Sequence, residues 1–396
     1  MTLDAYNAFL HRADADGDWR IAVKDVIDVA GMPTTAASKV LDRVPERDAE
    51  CVARLRAAGA AVIGKLNTHE FAFGALTNSP HFGPARNPWD LERTTGGSSG
   101  GSGAAVAAGL VDLALGTDTA GSIRIPSAFC GVTGHRPTAG LVPTEGVVPV
   151  AWTLDAVGPL ARTAEECRGA VEIMTGRPLE PAGDVRRIGF VTRLFDEADP
   201  GVAAACEGAA RSLPGGHEPV ELPLLDEIAT ITQLVMLPEA AAAHLGWLRT
   251  RLADYGADVR ARLLAGLLLP STAYLTGRRA RNWTRSVWER ELGGFDLLVA
   301  PAMPIVAPRL DAIPSDYRLL LMPYNSPAAL LGLPVTVVPC GIVDGLPVGL
   351  ALMGRRGEDA LVLAVAHAFQ QATDWHERRP VDATSGEVLY TTDTAE

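Results

Sequence analysis

The sequence predicts an α/β fold with a central mixed sheet, and three observations carry that prediction. First, apolar β-branched runs alternate with helix-compatible stretches: IAVKDVIDVA at 21–30, a helical pattern at 48–58 with Val52 and Leu55 three apart, then AAVIGKL at 60–66. Second, a Gly/Ser-rich loop at 94–103 (TTGGSSGGSG) leads straight into helix-compatible AAVAAGLV at 104–111, and the buried-strand pattern DLALGTD at 112–118 ends in a second small-residue loop at 119–122 (TAGS), followed by a helical stretch to about Cys130. Third, the runs at 187–192 and 295–300, and the pair flanking Asp344-Gly345, read as further strands, with Asp-Gly as a hairpin turn. Helical patterns fill 227–275 and 356–371, no internal repeat interrupts them, and one domain over 1–396 is expected, with a polar tail from about Asp382.

Composition narrows the function. With 396 residues, 47% of them hydrophobic, the chain can bury a large core. A net charge of -12 without any Lys/Arg run argues against nucleic-acid or anionic-membrane partners. No stretch of 18 apolar residues and no N-terminal apolar run occur, and the five cysteines (51, 130, 167, 206 and 340) are widely spaced, so a protein of the reducing cytoplasm is expected.

The two serine-bearing loops are where chemistry is expected. The run Gly96 to Gly101 lacks the Lys-Ser/Thr of a phosphate loop and the spacing of a dinucleotide fingerprint. It does contain G-x-S-x-G, centred on Ser98 or Ser99, but no histidine lies in a context that singles it out as base, and no metal-ligand spacing is present. In the second loop, small residues let the amides of Thr119, Ala120, Gly121 and Ser122 converge at a strand end, a geometry suited to an oxyanion, with the Ser122 hydroxyl as nucleophile. A base is then needed. Of only three lysines, Lys24 lies inside an apolar strand pattern, where burial lowers an amine's pKa; its structural alternative is pairing with Asp25 or Asp28.

These residues carry a resemblance. GGSSGGSGAAVAAGLVDLALGTDTAGSIRIPSAFCGVTGHRPT at 96–138 closely resembles the amidase signature family of serine hydrolases, as do IAVKDVIDVAGMPTTAAS at 21–38, the stretch 64–97 and SPAALLGLPVTVVPCG at 326–341. The resemblance implies the family's fold, a mixed sheet covered by helices on both faces with its signature core at about 60–180. It also implies a Ser-cisSer-Lys triad of Ser122 as nucleophile, Ser98 as bridging serine behind a non-proline cis peptide, and Lys24 as base, with no cofactor. Lys65 is then structural, and Asp118 and Arg124 form an ion pair or anchor the loop.

The chain departs from the family pattern at Ala120, where glycine is usual, at His135, commonly lysine, and in the few residues that precede Lys24. Members of the family split amides, carbamates or ureas, and one branch is a glutamine-dependent amidotransferase subunit. Met322 stands where glutamine-recognising members tend to carry aspartate, which favours a stand-alone amide hydrolase over that branch; a carbamate or urea hydrolase is the alternative. Phe73, Trp152, Met322 and Tyr324, with Leu319 to Leu321, are the expected lining of an apolar pocket for an aryl or alkyl acyl group. The expected partner is a small-molecule amide or carbamate, and a homodimer is compatible with the resemblance.

Overall fold

A computed structural model describes residues 4–380 except 16, 181, 182 and 184, so the expected polar tail lies outside the described residues. One sheet gathers β1 (Phe9–Arg12), β2 (Arg20–Lys24), β3 (Ala61–Leu66), β4 (Leu113–Asp118), β5 (Thr133–Arg136), β6 (Ala156–Ala161), β7 (Arg187–Val191), β8 (Gly216–Val220), β9 (Leu297–Pro301), β10 (Val335–Val343) and β11 (Leu346–Met353). Across its 11 strands the order is β1-β3-β2-β4-β6-β5-β10-β11-β9-β7-β8. β2 pairs in parallel with β3 and β4, and β7 with β8 and β9; the other pairs are antiparallel, so the sheet is mixed as expected.

Strand periodicity explains why helices cover both faces. Ile21, Val23, Leu113, Leu115 and Val157 point into one apolar cluster, and Ala22, Ala114 and Leu160 into another. Helices α1 (Glu50–Ala57) and α4 (Ala164–Thr175) fill the first, through Val52, Leu55, Cys167 and Val171. On the second lies α2 (Gly100–Ala107), with Cys130 from the end of α3 (Arg124–Cys130). The other half of the sheet repeats this division, with Leu298 and Ala300 against Leu297 and Val299. Further helices used below are α5 (Leu225–Ala243), α6 (Ala257–Leu268) and α7 (Tyr317–Leu331).

The structure differs from the sequence pattern in four places. The strand expected over 21–30 stops at Lys24, because the buried Asp25 carboxylate accepts the amide and hydroxyl of Thr35 (3.0 and 2.5 Å) and turns the chain. The Gly/Ser run is already helical from Gly100. Its glycines answer to close packing: a Cβ on Gly100 would meet Thr95 Oγ1 at 2.1 Å, and one on Gly101 the Asn67 carbonyl at 2.5 Å. The helical stretch 227–275 is broken at His244 and around Gly256 and Pro270. Finally, β1 and the polar edge strand β8 have no apolar alternation to announce them; pairing with β3 and β7 makes them strands.

Candidate active site

The parallel register of β2 on β4, which sets Val23 against Leu115, brings Lys24 at the end of β2 beside Thr117. Lys24 is wholly buried, and its Nζ is held by Ser98 Oγ (2.7 Å), Ser99 Oγ (2.9 Å) and Thr117 Oγ1 (2.7 Å). No carboxylate touches it. Burial pushes its pKa from 10.5 down to about 7, against the opposing pull of Asp118 and Asp155. Lys65 is fastened elsewhere, to Asp25 Oδ1 (3.1 Å) and Thr34 Oγ1 (2.8 Å), which is why only Lys24 reaches the serines.

Ser98 follows a cis Gly97-Ser98 peptide. Its carbonyl accepts from the His69 amide (3.1 Å) and the hydroxyls of Thr68 (2.9 Å) and Thr77 (3.1 Å), fixing the loop so that its hydroxyl meets Lys24. The two serines on Lys24 differ. Ser99 Oγ donates to the Thr117 carbonyl (3.1 Å) and accepts from the Thr117 amide (3.3 Å), whereas Ser98 Oγ has Lys24 as its hydrogen-bond partner among the described residues.

Ser122 sits in the β4–α3 loop, its carbonyl accepting from the Ser99 amide (3.2 Å), and it faces a cavity that neither Lys24 nor Ser98 lines. Among the described residues, no hydrogen bond joins the hydroxyls of Ser122 and Ser98. The loop is shaped by Asp118, whose carboxylate takes the amides of Gly121 (2.8 Å) and Ile123 (3.2 Å) and the guanidiniums of Arg124 (3.0 Å) and Arg136 (2.9 Å). The expected Gly121 oxyanion donor is therefore corrected: its N–H is used within the loop. The amides of Thr119, Ala120 and Ser122 are unspent among the described residues, and all three residues line the cavity. Left-handed backbone falls on Gly121 (φ +115°), where a Cβ would meet Asn325 at 2.5 Å, so Ala120 is accommodated without strain.

Both arginines hold Asp118 well below its ordinary 3.8 despite its burial. Because the folded value is depressed, the stability this carboxylate contributes is complete above that ordinary value and is lost as pH falls toward the folded one. Asp118→Asn leaves two buried guanidiniums underpaired, and we expect it to cost about 3 kcal/mol in unfolding free energy, read from urea melts at pH 7. An unchanged midpoint would show that the arginines find other partners.

The cavity measures ≈ 70 Å³ and is lined by Phe73, Ala120, Ser122, Gln233, Met236, Arg262, Arg318, Leu321, Met322 and others. A cavity of about 150 Å³ is what takes a benzene ring, so this one suits a short acyl chain and not the aryl group that the sequence also allowed. Phe73 and Met322 line it as expected; two other assignments are corrected. Tyr324 lies two residues beyond Met322 on α7, on another face, and its hydroxyl donates to the Leu194 carbonyl (2.9 Å). Trp152 is 54% exposed and lines a neighbouring cleft with Thr119 and Asp155, while Leu319 points to solvent. Sequence reasoning did not find Thr117, Arg136, Arg262 or Arg318. Only for Arg318 was a pattern available: Arg318, Leu321, Met322 and Ser326 form one i, i+3, i+4, i+8 stripe. His135 lies off the site, against Thr336 (2.9 Å) and Asp359 (3.2 Å), and the Cys130 thiol is buried and pushed up.

This mixed sheet, with a lysine–serine pair buried behind a cavity-facing serine, defines an α/β enzyme of the hydrolase class. A family model described as Amidase matches residues 20–363. The chain belongs to the amidase signature family, whose members act on carboxylic amide C–N bonds. It is 39% identical to the amidase-family component of the glutamyl-tRNA(Gln) amidotransferase of Roseiflexus castenholzii, over 91% of this chain and 83% of that protein. The crystal structure of an amidase superposes with a TM-score of 0.87 at 33% identity, covering 93% of this chain and 92% of the other. A 6-aminohexanoate cyclic dimer hydrolase complexed with substrate gives 0.83 at 26% identity, covering 92% and 88%. Among the described residues no helix is long and apolar enough to cross a membrane.

Proposed function

We propose that the chain is a stand-alone hydrolase of small carboxylic amides that works through a Ser122 acyl-enzyme, with Ser98 and Lys24 as its proton relay. The observation that carries this reading is the fully buried Lys24, free of any carboxylate contact and bonded to a serine hydroxyl that has no competing partner. Neutral Lys24 takes the proton of Ser98, Ser98 takes that of Ser122, and Ser122 Oγ bonds to the carbonyl carbon. The amides of Thr119, Ala120 and Ser122 stabilise the resulting oxyanion. As the C–N bond breaks, the proton returns through Ser98 to the leaving nitrogen; water then hydrolyses the ester by the same relay. The unpaired cysteines suit a reducing compartment, and we place the protein in the cytoplasm.

The test is a quenched reaction with a short primary amide, followed by peptide mass mapping. Ammonia release with an acyl mass on the Ser122 peptide is expected; an acyl mass on the Ser98 peptide, or none with any short amide, refutes the relay. The 39% identity to an amidotransferase component supports a second reading, a glutaminase that serves a partner protein. Met322 in the cavity opposes it, since a thioether cannot pair with the α-ammonium of glutamine. Glutamine hydrolysis exceeding that of simple amides would reverse the preference.

A further inference from the structure

The cavity that Ser122 faces also holds two guanidinium groups, and the mechanism uses neither. Arg262, from α6, lies over the Phe73 ring (4.2 Å to its centroid) and pairs through Nη2 with Asp258 Oδ2 (2.6 Å), leaving its buried Nε without a partner. Arg318, from the first turn of α7, lines the cavity without a hydrogen bond or ion pair to any described residue. The charged groups around them do not cancel this charge. Asp258 is the carboxylate that acts on Arg318, and it is already shared between Arg262 and His69 (3.6 Å). Glu70, which acts on Arg262 from behind, is held by Ser38 Oγ (2.6 Å), the Gly256 amide (2.8 Å) and His81 (3.3 Å), and does not line the cavity.

Two arginines against one shared carboxylate leave an unbalanced positive charge in a small space walled otherwise by Phe73, Met236, Leu321 and Met322. Such a site favours a carboxylate, which accepts planar N–H pairs from guanidinium groups, carried on a short methylene chain that the apolar walls accept. We propose that the substrate is an anionic amide, the monoamide of a short dicarboxylic acid, whose free carboxylate is bound by Arg318 and Arg262 while its amide carbonyl lies at Ser122. This assignment rests on the Ser122 hydrolase reading and adds the substrate class to it. It also explains why Met322 is tolerable: a substrate with a carboxylate and no ammonium needs no acidic residue there.

The experiment compares ammonia release from succinamate and from butyramide, which match in chain length and differ in the terminal carboxylate, with L-glutamine as the third amide. Succinamate is expected to lead butyramide by about 100-fold in kcat/KM. Arg318→Gln should collapse that ratio at least about tenfold, mainly through KM, while Arg318→Lys keeps most of it because the charge remains. Butyramide turned over as well as succinamate, glutamine preferred to both, or an unchanged ratio in Arg318→Gln overturns the carboxylate assignment and leaves the hydrolase standing. Hydrolysis of none of the three, together with the absence of a Ser122 acyl adduct, overturns both.

Discussion

Ser122→Ala is expected to lower amide turnover by about 10⁴-fold or more while leaving the thermal midpoint close to that of the parent. The two halves of this result have separate causes. The Ser122 hydroxyl makes no hydrogen bond to a described residue, so removing it strands no partner, and what holds the loop is the backbone: the Ser122 carbonyl on the Ser99 amide and Asp118 on the amides of Gly121 and Ile123. Activity falls because no other side chain lining the cavity is an activated nucleophile; Ser326 shares the lining, but it lies on α7, away from the Lys24–Ser98 pair. Ammonia release at saturating amide, beside a melt of each variant, reads both halves. Turnover retained within tenfold would move the nucleophile elsewhere, and a large drop in melting temperature would make the loss uninformative about chemistry.

Lys24→Ala is expected to cost about 10³-fold in kcat/KM, the scale of a lost general base, and to flatten the pH dependence of what remains. In the parent enzyme the sign follows from burial. The folded lysine loses its proton near pH 7 instead of 10.5, so kcat/KM should rise as pH increases through about 7 and level off above it. Lys24→Arg should not rescue the activity, since a guanidinium stays charged across that range and cannot accept the Ser98 proton. A profile measured from about pH 5.5 to 9 that falls through neutrality, or a Lys24→Arg variant with near-parent activity, would remove Lys24 as the base.

Much of the site was legible because its parts sit at the ends of regular elements whose patterns are local. The apolar run around Lys24 announced a buried strand, the small residues from Thr119 to Ser122 announced a tight strand-to-helix loop, and the long match over 96–138 told which of several serines to weigh. The substrate pocket was much less legible. Phe73 was placed correctly, yet Trp152 and Tyr324 are equally aromatic and lie elsewhere, because whether a side chain lines a cavity depends on how α5, α6 and α7 pack over the loop, which no single segment encodes. Arg262 and Arg318 stand 56 residues apart on different helices, and nothing near either one marks it as facing a serine at position 122.

By itself, then, the sequence determined the alternation of strands and helices, the α/β class, the hairpin at Asp344-Gly345 and the family, since each depends on periodicity or on residues close together in the chain. Tertiary structure alone decided which hydroxyls surround Lys24, that Arg136 joins Arg124 on Asp118, that the Gly121 amide is spent, and that the cavity is small and carries unbalanced positive charge. The reason is the register of the sheet. Lys24 meets Ser98 and Thr117 across 74 and 93 residues of chain only because β2 lies parallel on β4 with Val23 opposite Leu115, and a shift of one residue would turn Lys24 to the other face of the sheet.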